Sequence, residues 1–180
     1  MASTTVTTWN IDPAHSAAAF KVRHMMISHV KGEFRGLSGV VKLDDTDSSR
    51  STVEVSIPAE GIKTGDEARD GHLKAADFLD VEKFPTITFK STSITSTGDS
   101  NYAVTGDLTI HGVTKSVTLA VEDVSSPTKD PYGNERIGLT ASTKIERKDF
   151  GLVWNGVMES GGVLVGDEVT ITIDAELIKA

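Results

Sequence analysis

Five histidines, His15, His24, His29, His72 and His111, are the side chains of this 180-residue chain best suited to proton transfer or metal ligation. None forms a His-x-His or His-x-x-x-His pair, and there is no cysteine to complete a site. Local ligand spacing is therefore missing, so only distant residues gathered by folding would hold a metal. His15-Ser16, with Asp12 nearby, invites a Ser-His-Asp reading. On an extended strand these three lie too close together to converge, and no nucleophile elbow occurs. Two charged clusters remain, Arg69-Asp70-x-His72 and Glu146-Arg147-Lys148-Asp149-Phe150-Gly151. Arg69 and Arg147 are open to either role, orienting a polar head group or pairing carboxylates that lock the insert. Asp70 and Asp149 are better read as partners that lock local structure. No Gly-rich phosphate loop and no catalytic carboxylate pair is present. The histidines are expected at strand ends and turns, hydrogen-bonded and without metal.

The elements that would position these groups are strands. Apolar and polar residues alternate with period two in runs rich in Val, Thr and Ile, as in Val53–Ile57, Tyr102–Ile110, Ile137–Ile145 and Val169–Leu177. Between Val30 and Asp44 the apolar parity slips, which predicts a bulge or sharp coil near Gly36. About eight strands result, most joined by short loops that suit antiparallel neighbours. Each has one apolar face, and closing a single sheet into a barrel removes both exposed edges. A two-sheet sandwich is the other arrangement with this pattern. The alternation stops at Thr64–Thr88, and Phe150–Gly162, which holds Trp154, is less regular. Thr64 or Asp66 can cap a helix in the first of these stretches, acidic residues follow in its first turn, and Leu73, Ala76 and Phe78 share one side. The expected fold is thus all-β, a single domain over residues 1–180, with a short helical insert at about residues 65–80 that closes one region of the barrel.

A net charge of −8 and a pI near 5.1 argue against nucleic acid. No apolar run reaches membrane-spanning length. The N-terminal residues MASTTVTTWNID lack the basic and apolar regions of a secretory signal. The chain as it stands is expected in the cytoplasm, or in the periplasm if a signal has been removed. On the presumptive inner faces, Ala18, Ser91, Gly106, Ala141, Thr143 and Ala175 sit beside Phe20, Phe89, Leu108 and Leu139. An eight-stranded barrel either fills itself with side chains or holds one small ligand. The small residues tilt the choice toward a cavity, and Gly106 and Ala141 have the clearest inward positions.

Five segments taken in order, DPAHSAAAFKVRHM, RDGHLKAADFLDVEKFPTITFKS, YAVTGDLTIHGVTKSVTL, DPYGNERIG and ERKDFGL, together resemble the YceI-like family of polyisoprenoid-binding proteins. The resemblance runs from Trp9 almost to the C-terminus. It implies a lipocalin-like, eight-stranded antiparallel barrel whose elongated apolar interior holds an isoprenoid or quinone-like lipid. It further implies non-enzymatic binding, for transport or storage, no other cofactor, and in some members a homodimer. Motif and parity together select Phe20, Phe78, Phe84, Phe89, Gly106, Leu108, Ile110 and Ala141 as candidate ligand contacts. The alternative is an enzyme that uses a histidine cluster at the barrel mouth on an apolar substrate.

Overall fold

The computed structural model describes residues 3–180, and strands dominate it. The first half of the chain contributes β1 (Val6–Ile11), β2 (Ala17–His24), β3 (Ser28–Phe34), β4 (Ser38–Asp44), β5 (Thr52–Pro58) and β6 (Ile62–Lys63). A single helix, α1 (Glu67–Lys74), follows. The second half contributes β7 (Thr86–Gly98), β8 (Asn101–Ile110), β9 (Val113–Glu122), β10 (Thr128–Lys129), β11 (Glu135–Glu146) and β12 (Val165–Lys179). Hydrogen bonds run in the order β11-β9-β8-β7-β5-β4-β1-β12 and close from β12 back to β11, with every pairing antiparallel. This is the eight-stranded barrel that the alternation predicts.

The closure depends on β12, which is 15 residues long. One edge pairs with β11 from Glu168 to Ile178. The other edge takes two partners in succession, β2 from Val165 to Asp174 and β1 from Leu177 to Lys179. β1 and β2 therefore behave as one long strand with a step at Asp12–Ser16. β3 and β4 form a second broken strand beside it, and the break at Gly36, with φ +81°, coincides with the parity slip. A left-handed φ is unstrained only for glycine.

The step is built from a short 3₁₀ turn, Pro13–His15, capped by the Asp12 carboxylate, which accepts the Ala14 N–H at 3.0 Å. Arg136 on β11 reaches across to it. Its Nη1 donates to Asp12 Oδ2 at 2.7 Å and to Glu176 Oε2 at 3.1 Å, and its Nε donates to Asp130 Oδ2 at 2.7 Å. Ser16, almost fully buried, accepts the Glu176 N–H on its hydroxyl. The Arg136 guanidinium and then the His15 ring hold the Asp12 carboxyl down at about 2, and Arg136 likewise holds Asp130 at about 2. Below the step the barrel end is packed solid by Trp9, Ile11, Leu37, Val41, Ile137 and Leu177.

The insert differs in detail from its expected span of 65–80. Asp66 caps α1 by accepting the Arg69 N–H at 2.9 Å, and Asp70 accepts from the Thr64 N–H and hydroxyl. The helix stops at Lys74 because the chain folds back on it. Leu79 N–H donates to Leu73 O, and Val81 N–H donates to Lys74 O, which satisfies carbonyls that another helical turn would otherwise occupy. Ala76 is consequently exposed and does not share the buried side with Leu73. Phe78 and Leu79 are buried there instead. Among the described residues no helix is long and apolar enough to cross a membrane.

The clamp has a signature in acid. Carboxyls whose folded pKa is depressed add stability above their unfolded value, and that stability is lost as pH falls toward the folded value. For Asp12 and Asp130 the window runs from 3.8 down to about 2. Urea midpoints of the wild type should fall steeply across it. Arg136→Met should be less stable than wild type at pH 7 and lose little more across the same window. Parallel curves for the two proteins would show that the clamp contributes nothing.

Candidate functional site

Above the packed end the barrel widens around a cavity of about 340 Å³. β2 turns Ala18, Phe20, Val22 and His24 toward it, and β12 turns Val169, Ile171 and Ile173. Val55 and Ile57 of β5, Ile87 and Phe89 of β7, and Leu108 and Ile110 of β8 complete the wall. These are the period-two inner positions of each strand. The far end is covered by α1, which supplies Arg69, His72 and Leu73, and by the irregular segment 152–164, which supplies Leu152, Trp154 and Leu164. Phe78 and Leu79 fill the corner between them.

The polar groups with ionisable character concentrate at this end. His72, Phe78 and Trp154 form an aromatic trio, with ring centroids 5.0 Å apart for His72–Phe78, 4.8 Å for His72–Trp154 and 5.2 Å for Phe78–Trp154. The His72 Nε2 lies 3.0 Å from Asp77 Oδ2, so an acid on the outer side orients the ring. Arg69 donates to the Thr64 hydroxyl at 2.7 Å and to the Thr64 carbonyl at 2.8 Å. Arg147 has a structural task. Its guanidinium is buried and donates to the carbonyls of Gly166, Leu152, Trp154 and Val165, which ties the 152–164 segment to the start of β12. Burial lowers its pKa, and Asp167 opposes that shift. Asn155 completes the anchoring with bonds to Leu164 and Val165.

The structure brings five of the eight candidate contacts to the cavity wall: Phe20, Phe78, Phe89, Leu108 and Ile110. The other three lie elsewhere. Phe84 sits against the β8–β9 turn, with its ring 4.8 Å from that of His111 and packed on Gly112. Ala141 is buried in β11, beside Val121 and Ile173 in register, away from the cavity lining. Gly106 faces inward as expected, but no void lies over it. A Cβ there would stand 2.5 Å from the Lys90 carbonyl oxygen and 2.6 Å from the Phe89 ring. Gly32 houses the Phe20 ring in the same way, at 2.5 Å. These glycines make room for aromatic rings, and the rings in turn wall the cavity.

The histidines are dispersed. His24 and His72 line the cavity, His111 packs on Phe84 and points Nδ1 at the Phe150 carbonyl, and His29 is exposed on β3. His15 and Asp12, expected to stay apart, do meet, with Nδ1 2.8 Å from Oδ2. The 3₁₀ turn replaces the extended strand assumed for them and brings positions 12 and 15 together. Ser16 is nevertheless engaged with the Glu176 backbone. Ligand atoms of Asp12, His15 and Glu176 lie within 4.8 Å of one another, a spacing a cation could bridge. Arg136 already contacts both carboxylates, and a metal would have to displace it. Trp154 and Leu79 carry no periodic signal, because both lie in irregular backbone. The adjacency of Trp154 to the Gly-rich run Gly156–Gly162 was their only local hint.

A family model described as YceI-like domain matches residues 9–177. A UPF0312 protein of Staphylococcus aureus is 36% identical over 172 residues, which cover 95% of this chain and 97% of that protein. Among solved structures, BcnA of Burkholderia cenocepacia superposes with a TM-score of 0.80 at 25% identity, over 92% of this chain and 98% of its own. A polyisoprenoid-binding domain from Saccharophagus degradans superposes with a TM-score of 0.68 over 98% of this chain and 100% of its own, and at 14% identity it shares the fold alone.

Gly106 gives the sharpest check on how the wall is packed. Gly106→Ala should destabilise by about 1–3 kcal/mol, since the new methyl meets backbone that cannot move aside. Unchanged urea midpoints would mean that the Phe89 ring is not held where the structure places it.

Proposed function

The chain belongs to the YceI-like family, and from that premise we propose that it binds one long apolar chain, an isoprenoid or quinone-like lipid, inside the barrel and does not convert it. The observation that carries this reading is an apolar cavity of about 340 Å³ whose arginines and histidines gather at one end. Such an interior is poorly suited to water. At about 30 Å³ each, roughly eleven waters would occupy it, and each needs two to four polar partners that aliphatic walls do not offer. Left empty, it would forgo about 8 kcal/mol at roughly 24 cal/mol per Å³. That rivals the whole net stability of a typical domain, about 5–15 kcal/mol.

A lipid tail resolves the conflict. Each buried CH₂ contributes about 0.8 kcal/mol, so ten of them return about 8 kcal/mol before the tail's lost freedom is subtracted. The tail lies along Phe20, Phe89, Leu108 and Ile171. A polar head lies toward Arg69, His72 and Trp154, which bring nitrogen donors to the covered end of the cavity. Such walls grade chain length weakly, because one methylene more or less changes affinity by only about 1–3 kcal/mol. The head group and the end of the cavity therefore set the selectivity.

Mass spectrometry of an organic extract of the protein, purified from its native host, tests the reading. The expected result is an apolar prenyl lipid near one per chain, and loss of most of it in Val117→Phe, since Val117 of β9 also lines the cavity and the larger ring fills it. Thermal melts confirm that the variant is folded. An extract without stoichiometric lipid, or an equal yield from the folded variant, would contradict the assignment. So would conversion of the lipid by the protein that disappears in His72→Ala.

A further inference from the structure

The hairpin joining β2 to β3 ends in Met25, Met26 and Ile27, all exposed, with Ile27 at 78%. The turn is closed by the Ile27 N–H donating to His24 O at 3.1 Å, and both central residues have positive φ, 53° at Met25 and 59° at Met26. Those φ values favour Asn or Gly. This sequence holds two methionines there, strained in backbone and turned to solvent. A second apolar tip lies beside the first. Residues 156–164 form a small hairpin, with Val157 paired to Val163 and Met158 N–H bonded to Gly162 O. Val157 is 88% exposed, and Val153 and Val163 are exposed with it.

Leu164 joins the two tips to each other and to the cavity. Its carbonyl accepts the Met25 N–H at 2.8 Å, its N–H donates to Gly156 O at 2.9 Å, and its side chain lines the cavity. Apolar surface thus continues from the barrel interior to the exposed tips. Single exposed apolar residues are ordinary, but a contiguous set at one end of a molecule marks an interaction surface.

The charge of the two stretches that carry the tips points to the partner. On the β2–β3 hairpin, Lys21 stands opposite Lys31 and Arg23 opposite His29. Like charges in directly opposed positions, as in the Lys21–Lys31 pair, weaken a sheet. No carboxylate lies within 4.0 Å of any of these four among the described residues, where the ion pairs form elsewhere. Lys21–Lys31 contains no acidic residue, and Leu152–Val165 contains only Glu159. Three Lys or Arg against one carboxylate leaves these two stretches at +2 in a chain of −8. An apolar tip flanked by unneutralised cations is complementary to an anionic lipid surface, where apolar groups enter the acyl boundary and cations meet the head groups.

We propose that this end of the barrel docks on anionic membrane, with Met25–Ile27 and Val157 inserted and Lys21, Arg23 and Lys31 at the head groups. The cavity end lined by Leu164, Trp154 and His24 then faces the bilayer from which an apolar chain would be loaded. Docking itself does not depend on the lipid-binding reading, and the assay reads the two separately.

Co-sedimentation with vesicles of equal phosphatidylglycerol and phosphatidylcholine, against phosphatidylcholine alone, provides the test. The wild type should partition onto the anionic vesicles and release as salt is raised. Lys21→Gln with Lys31→Gln should weaken partitioning roughly fivefold per charge removed. Ile27→Ser with Val157→Ser should abolish it. None of these four residues lines the cavity, so the lipid content of the purified variants, read by mass spectrometry, should match the wild type. Equal partitioning onto neutral vesicles, or none onto anionic ones, would overturn the proposal. It would also be overturned if sedimentation velocity showed a dimer that Ile27→Ser with Val157→Ser dissolves while vesicle binding is absent, since a second copy would then cover the patch.

Discussion

One long strand must satisfy two partners along the same edge. β12 pairs with β2 over its first part and with β1 at its end, so the chain between those partners has to step sideways at Asp12–Ser16. Stepping interrupts a ladder inside a closed sheet, where backbone groups without partners are costly. The sequence meets this with Asp12 as a turn cap, Ser16 as a hydroxyl for the Glu176 N–H, and Arg136 binding three carboxylates at once. Loss of one partner from such a cluster leaves the remaining charges uncompensated. The closed barrel, and everything inside it, depends on that step being held.

The cavity follows from the same geometry. Below the step, Trp9, Leu37 and Leu177 fill the barrel completely. Above it, β2 and β3 extend the wall, and the sheet encloses more space than its own side chains occupy. The inner glycines do not create that space. Gly106 and Gly32 lie under the rings of Phe89 and Phe20 and leave those rings the space a side chain would take. The insert and the 152–164 segment close the end. Arg147 fastens the segment through four backbone carbonyls, which engage four of the five N–H donors of its buried guanidinium.

Period-two alternation made the strands legible, because half-buried strands must alternate wherever one face meets the core. The break at Gly36 showed as a parity slip, and the helix showed as a stretch where alternation failed. The step at Asp12 was not legible: three residues of 3₁₀ turn look like extended chain in a sequence, and the Arg136 partner lies more than a hundred positions away. Within the site, inward parity placed Phe20, Phe89, Leu108 and Ile110 at the wall. Parity also pointed at Gly106 and Ala141, since it gives direction but not what lies opposite, and packing against Phe89 decided the matter at Gly106. Phe84 and Phe78 were equivalent in sequence. Only the fold-back after Lys74 turned Phe78 into the cavity and Phe84 toward His111.

The central claim, that an apolar chain lies within the barrel against its closed end, can be read from tryptophan. The chain has two tryptophans: Trp154 lines the cavity, and Trp9 is buried in the packed end. Bromine on an acyl or prenyl chain quenches indole emission only near contact. Titration with a brominated lipid should give saturable quenching in the wild type. Trp154→Phe should remove most of that quenching while equilibrium dialysis still finds the lipid bound. Quenching that persists unchanged in Trp154→Phe, or that never saturates in the wild type, would contradict the account.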